Sequence, residues 1–348
     1  MVDLRHMAPI GAFALVIGLS SAHLARADSA ADFFSGKSID MYVAGSPQGS
    51  YSYHVRVLSK YLTRHIPGHP NIVPQYMAGA GGIKTANFLY NVAPPNGLAV
   101  GTLLKTIAMN QAIQRKGVKY DAEKFGWIIS TGPVDSVLAL WTATSPARTI
   151  EDAKKVQVVL GSTGKGSATF IEPTLMNDMV GTKFKIIAGY KGIDPVHLAM
   201  ETGEVQGRFA SWESLLCCKR EWLDKKKVVV LAQSGLVRNA DLPDVPRIID
   251  LVKSEADKKF LEFFGAASTL GRIYLAPPRI SAERLAALRD GFWKAAHDPE
   301  YVAEMKKRGL EWGPTTGEAA KKLALVALRS SPEVIARARS IMGTEGGD

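Results

Sequence analysis

Cysteine is nearly absent: Cys217 and Cys218 are the only two in 348 residues, too few for a disulfide scaffold or a four-cysteine zinc site. Beyond the N-terminus, no apolar run reaches the roughly 18 residues that a membrane-spanning helix needs. Signatures of catalysis are missing too. No stretch reads Gly-x-Ser-x-Gly, which excludes the nucleophile elbow of a serine hydrolase. Gly161 to Ser167 superficially suggests a phosphate loop, but Lys165 is followed by Gly166 and no glycine stands five residues before Gly164. Of the histidines, only His65 and His69 lie four apart. Pro67-Gly68 between them breaks the helix a zinc pair requires, and no glutamate follows His65. Neither a metal nor a cofactor is expected.

Basic residues predominate without being concentrated. The formal net charge is +10, from 43 Lys+Arg against 33 Asp+Glu, and only Lys225-Lys226-Lys227 makes a block. A nucleic-acid binder shows a basic stripe or a recognisable module, so nucleic acid is not an expected partner. The excess suits anionic small molecules and solubility. With 46% hydrophobic and 22% charged residues the composition is globular, and the length suits one large domain or two of ordinary size.

Met1 to Ala27 has the three parts of a secretory signal: basic Arg5 and His6, an uncharged apolar core from Ala8 to Leu19, and small residues at Ala25-Arg26-Ala27. Cleavage there leaves Asp28 as the new N-terminus. Loss of Arg5, Arg26 and Asp3 takes the formal charge from +10 to +9.

From Ser38 onward short apolar runs alternate with amphipathic stretches, the pattern of an α/β fold. Strands are expected at Ser38–Ala44, Asn71–Tyr76, Leu98–Leu104, Trp127–Thr131, Val137–Thr142, Val156–Leu160, Lys185–Ala188, Gln206–Ala210 and Val228–Gln233. Tyr51, Val55, Leu58 and Leu62 lie at helical spacing, and Ile83–Val92 and Pro195–Thr202 read as further helices. After Gly271 the chain turns to long amphipathic helices at Ser281–His297, Pro299–Arg308 and Thr316–Arg329. Three strands run into Gly-rich loops that precede helices: Ser46–Ser50, Ala78–Gly82 and Gly161–Ser167. Such a loop presents unpaired backbone N–H groups at the positive end of a helix and suits an anion. Three in one chain favour ligand binding, because ligands of open α/β sheets sit beyond the carboxyl ends of the strands.

Other conspicuous residues have plainer readings. His54, just inside the first helix, is read as a half-buried structural histidine within reach of a ligand. Adjacent Cys217 and Cys218 could close only an eight-membered ring unlike ordinary disulfide geometry, and are read as two small apolar residues on a helix. Trp212 and Trp222 are read as core, although Trp212 follows a strand end and so lies on the binding edge.

These segments, taken together, resemble the receptor component of the tripartite tricarboxylate transporter family, the Bug-type periplasmic solute-binding proteins. The resemblance runs from about Ile39 to Ala320. The family's opening loop, Pro-Gly-Gly-Gly-x-Asp before an Ala-Arg helix, lines up with Pro47-Gln48-Gly49-Ser50-Tyr51-Ser52 and the helix carrying Val55-Arg56. Gly79-Ala80-Gly81-Gly82, Pro95-Asn96-Gly97, Ser162-Thr163-Gly164-Lys165-Gly166-Ser167, Tyr190-Lys191-Gly192, Leu242-Pro243-Asp244-Val245-Pro246, Ala276-Pro277-Pro278 and Asp298-Pro299-Glu300 match further signatures in the family's order. Gln48 and Ser50 replace loop glycines, Ser52 an aspartate, and Lys165 a small polar residue.

The family implies a two-lobed, type II-like periplasmic-binding-protein fold with a hinge and an interlobe cleft. Residues 38–142 with 271–348 would form one lobe, and 143–270 the other. One carboxylate would sit on the amides and hydroxyls of Pro47, Gln48, Gly49, Ser50, Tyr51 and Ser52, with Gly81 and Thr106. The ligand's other end would meet Ser162, Thr163, Lys165, Gly166 and Ser167, with Tyr190, Ser211 and Trp212. The implied partners are a di-, tri- or aromatic carboxylate and a membrane permease of one large and one small subunit, served by a periplasmic monomer. Presentation of the same solute to a membrane sensor kinase is the alternative. An exported enzyme acting on a carboxylate is a further one, disfavoured by the missing catalytic signatures. N-terminal sequencing of the exported protein should find a start within a few residues of Asp28; a periplasmic form that retains Met1 would contradict the signal.

Overall fold

The computed structural model describes residues 29–113, 115–266 and 270–344; the signal segment lies outside them. The chain begins α1 (Ala30–Phe34), β1 (Ser38–Val43), α2 (Ser50–His65), β2 (Asn71–Tyr76), α3 (Ile83–Asn91), β3 (Ala99–Leu103), α4 (Ile107–Ala112) and β4 (Gly126–Ser130). It continues through β5 (Ser136–Trp141), α5 (Ile150–Lys155), β6 (Val158–Ser162), α6 (Ala168–Val180), β7 (Phe184–Ala188), α7 (Ile193–Glu201), β8 (Gly207–Ser211), α8 (Glu213–Cys218), α9 (Arg220–Asp224), β9 (Val228–Gln233), α10 (Ile248–Leu251) and α11 (Glu255–Ala266). It ends with β10 (Ile273–Ala276), α12 (Ala282–Ala296), α13 (Pro299–Lys307), β11 (Thr315–Thr316), α14 (Gly317–Ala324) and α15 (Pro332–Met342).

The strands form two sheets, ordered β11-β4-β10-β3-β1-β2 and β7-β6-β8-β5-β9. Each is built on the same plan. A parallel trio (β2-β1-β3, β7-β6-β8) is followed by one antiparallel strand, β10 in the first sheet, which arrives from a distant part of the chain, and β5 in the second, which precedes the trio. Strands β3, β4, β5 and β10 are buried along their whole length, as central strands covered on both faces must be. The outermost strand β2 is largely exposed and carries Pro74, whose missing N–H is tolerated at an edge.

The expected division of the chain needs correction. Residues 137–142 had been placed with the first lobe, but β5 pairs with β8 and β9, setting Val137 opposite Ala210 and Gln233. The crossover is therefore the segment 131–135. An apolar run reads the same whichever sheet receives it, so periodicity could not assign this strand. Likewise α15, expected with the first lobe, puts Ala338 and Met342 into the core of the second beside Leu175 and Phe209. The third C-terminal helix stops at Ala324, with a short 3-10 turn at Ala327–Arg329. The chain crosses between lobes again at the end of the second, near Leu270.

In the first lobe Val55, Leu58 and Leu62 of α2 pack on Ile39, Met41 and Val43 of β1, with Leu288 and Phe292 of α12 completing the layer. The approach of α12 to α2 depends on Gly291, where a Cβ would fall 2.6 Å from Ile66 Cγ1. The opposite face holds Ile83, Ala86 and Leu89 of α3 against Leu103 and Trp127. In the second lobe Trp141, Trp212 and Trp222 gather with Met200 and Val205 on one face of the sheet. Removing the fully buried Phe292 ring empties the α2–α12 layer. Phe292→Ala should lower the unfolding free energy by about 3–5 kcal/mol in chemical denaturation; a loss below about 1 kcal/mol would contradict this packing.

Candidate functional site

A cavity of about 110 Å³ lies where the two lobes meet, well above the 10–15 Å³ that a single water requires. It sits at the carboxyl ends of the parallel strands. Ala44, Gly45 and Ser46 follow β1, Leu104, Lys105 and Thr106 follow β3, Thr163 follows β6, and Ser211 closes β8. Helices start there as well. The N-cap residues of α2, α3, α6 and α7 are Gly49, Gly82, Ser167 and Gly192; all four line the cavity, and none makes a side-chain capping bond. Their first-turn N–H groups carry partial positive charge and have no intrahelical acceptor. Lys105 is the one formally charged side chain among the described lining residues. Burial pushes the Tyr51 hydroxyl up to about 12, so it stays neutral in the wall.

The lobes touch through their loops. Gly166 C=O accepts from Thr106 Oγ1 and Asn110 Nδ2, each at 2.7 Å. Gly81 N donates to Thr163 O at 3.3 Å, Gln48 N to Asp194 Oδ2 at 3.0 Å, and Ser50 Oγ stands 3.0 Å from Ser211 Oγ. Glycine is required for this approach rather than for turning alone. A Cβ on Gly192 would lie 2.4 Å from Ser46 Cβ, and one on Gly81 would lie 2.5 Å from Ser167 N.

Of the residues expected to bind, Gly49, Ser50, Tyr51, Gly81, Thr106, Thr163, Ser167 and Ser211 line this cavity. The others do different work. Ser52 is buried with its hydroxyl donating to Ser46 O at 2.6 Å, and Ser162 shares a hydrogen bond with Thr169 Oγ1 and accepts one from Gly164 N. Both hydroxyls brace the loops that bear the lining residues, and neither residue is itself part of the cavity lining. Pro47 and Gln48 are exposed at the lip, as is Lys165. Gly166 spends its carbonyl on the latch to Thr106 and Asn110. The Tyr190 hydroxyl donates to Glu204 at 2.5 Å, and the Trp212 indole turns into the second lobe's core to donate to Asp241 at 3.1 Å. Sequence reading missed Lys105, Ser136 and Gly192, among others; Ser46, Gly79 and Gly82 lay within the Gly-rich loops and Gly192 within the Tyr190-Lys191-Gly192 signature, whereas no local signal marked Lys105 or Ser136.

Behind the cavity a buried polar cluster spans both lobes. Glu213, at the start of α8, pairs with Arg272 and lies 3.3 Å from His54 Nε2, while its Oε1 accepts from Glu311 N at 2.7 Å. Burial first, and Arg272 next, hold the His54 imidazole well below its ordinary range, so it is neutral and fully structural. Asn239 Nδ2 bridges Asp135 at 3.3 Å and Glu311 at 3.0 Å. Burial and the neighbouring Asp135 push the Glu311 carboxyl up to about 7, against the pull of Arg272. His65 Nε2 lies within hydrogen-bond distance of Asp298 Oδ2, at 2.8 Å, and His69 contacts Thr63 O.

The cysteine reading is corrected too. Cys217 and Cys218 are joined by a disulfide at the point where α8 ends, so the ring interrupts no continuing helix. Cys217 also packs against the first lobe's core.

Gly166 has ordinary backbone angles, so a substitution there tests closure without backbone strain. Its Cβ would fall 2.9 Å from both Ala80 O and Ile83 Cδ1 of the opposite lobe. Gly166→Ala should weaken binding of any ligand held between the lobes about 5- to 150-fold in calorimetry, the range that corresponds to the cost of overpacking. The melting temperature of the ligand-free protein should stay within about 2 °C; an equal loss of both would make the loop a structural turn.

Comparison with known proteins follows the same lines. No curated protein matches the chain in sequence. Among solved structures, the periplasmic binding protein BugD superposes with a TM-score of 0.72 at 19% identity, over 89% of this chain and 99% of its own. A protein of R. palustris solved with adipate gives 0.69 at 16% identity over 88% and 98%. MatC from Rhodopseudomonas palustris with bound malate gives 0.66 at 16% identity over 88% and 99%. At these identities the likeness establishes the two-lobed binding-protein fold. Residues 55–338 match the sequence profile of the tripartite tricarboxylate transporter family receptor, and the chain, a solute-binding protein by fold and by sequence, belongs to that family.

Proposed function

We propose that the protein captures a small carboxylate between its lobes in the periplasm and delivers it to a two-subunit permease of the tripartite class. The observation that carries this reading is the convergence of four helix N-termini without capping side chains on one interlobe cavity. Each such contact contributes about 0.3–1 kcal/mol when exposed and up to about 2 kcal/mol when partly buried. Together with the lining hydroxyls they bring micromolar affinity, about −8 kcal/mol, within range. That two proteins of the same fold hold adipate and malate supports the ligand class. The charged, apolar and small-residue order of Met1 to Ala27 supports export.

Binding to the folded state alone raises stability by about 2.7 kcal/mol at one hundred times Kd. A thermal-shift screen of mono-, di- and tricarboxylates should find members that raise the melting temperature by several degrees, while the matching neutral amides should not. A shift confined to sugars or cations, with none from any carboxylate, would overturn the reading.

A further inference from the structure

A second, smaller chamber of about 30 Å³ adjoins the cavity and shares Lys105, Thr106 and Ala168 with its wall. Its remaining lining is chiefly apolar, including Met109, Ile171, Leu175, Leu261 and Phe264. Against 10–15 Å³ for one water, it has room for a terminal group of one or two heavy atoms. Among the described residues, one charged side chain lines this chamber and not the main cavity: Glu172 of α6.

Lys105 and Glu172 form an ion pair across the lobes at 3.4 Å, with side chains only 6% and 10% exposed. Lys105 Nζ also donates to Val134 O at 3.1 Å and approaches Ser136 Oγ at 3.5 Å. Its charge is thus matched by Glu172 before any ligand arrives, and a second carboxylate would have to be placed beside that of Glu172. Glu172 Oε1 faces Lys105, whereas Oε2 is buried with no partner in hydrogen-bond geometry among the described residues, the Ser136 and Ser234 hydroxyls acting on the carboxyl as donors from outside that geometry. A buried carboxylate oxygen in that position calls for a donor. The other groups that act on Glu172 are the hydroxyls of Ser136 and Ser234 and, more distantly, Tyr51. Burial raises the Glu172 carboxyl, and Lys105 beside it pulls it down.

We infer that the Lys105–Glu172 pair and its side chamber form a second subsite for an O–H or N–H donor, so that the ligand is a monocarboxylate with a hydroxyl or amino group at its far end. This rests on the reading of the main cavity as a carboxylate site. The carboxylate lies on the helix N-termini, a short apolar segment passes Thr106 and Ala168, and the terminal donor meets Glu172 Oε2. A plain aliphatic acid leaves Oε2 unmatched, and a dicarboxylate sets two negative charges together.

Calorimetric titration of the full mature protein with butyrate, 4-hydroxybutyrate, 4-aminobutyrate and succinate tests this. The hydroxy or the amino acid should bind at least about tenfold tighter than butyrate and succinate, the range for a hydrogen bond to a charged group. In Glu172→Gln that preference should vanish and succinate should gain about tenfold, because Lys105 then offers its charge to the ligand. A structural role alone would weaken all four equally. If the variant does not fold, the ranking in the parent protein decides. Succinate as the tightest ligand of the parent overturns the inference, since a Glu172 carboxyl protonated by burial would accept a second carboxylate. Equal binding of all four overturns it while leaving the carboxylate site intact, and binding of none overturns both.

Discussion

A helix that begins in the interior of a protein leaves backbone N–H groups pointing at nothing, and a buried donor without an acceptor is costly. The cleft is organised around that constraint. Glycine at three of the four N-caps (Gly49, Gly82, Gly192) withholds the side chain that would have satisfied the first turn from within. At the fourth, Ser167 uses its hydroxyl on Gly164 O and its neighbours instead. Asp194 N of α7 donates to Ser46 Oγ of the other lobe at 3.4 Å and Ile83 N of α3 to Ala80 O, and the first-turn donors that remain are open to an acceptor from outside the chain. Strands ending on one side of each sheet aim these helix starts inward, and the loops between them set how closely the lobes approach.

Closeness is obtained by removing side chains rather than by shaping them. Gly81, Gly164 and Gly166 meet across the lobe boundary at distances that leave no space for a methyl group, and short polar side chains (Thr106, Asn110, Asp194, Ser50 and Ser211) tie the lips together beside the backbone bond from Gly81 N to Thr163 O. Buried charge is gathered at the rear of the cleft. There Glu213, Arg272 and Glu311 knit α8 to the first lobe, and Lys105 reaches from the first lobe to Glu172 of the second.

Much of this was legible in sequence because glycine and strand periodicity are local signals. The loops at Ser46–Ser50, Ala78–Gly82 and Gly161–Ser167 could be read directly, and with them the strand ends at which the interlobe cavity lies. What escaped was the direction of individual side chains. Ser52 and Ser162 are of the right type in the right loops, yet each is turned inward by a partner, Ser46 O or Thr169 Oγ1, that no spacing rule identifies. Lys105 escaped for the converse reason. It follows an ordinary strand, and its importance comes from Glu172, 67 residues away in the chain. The sheet assignment of β5 and the existence of β10 were hidden likewise, since Ile273–Ala276 is a four-residue run before Pro277 whose partners are over a hundred residues earlier.

That exchange of strands governs how the molecule can be assembled. The first sheet stays split between β3 and β4 until β10 arrives to fill the gap, and β10 is made only after all of the second lobe except α15. A chain emerging N-terminus first cannot close its first lobe early, because the contacts that complete it carry the loop-closure entropy of a long intervening segment. Order of synthesis and order of folding are thereby separated. The second lobe, continuous apart from α15, is free to condense first and becomes the template on which the two halves of the other are joined.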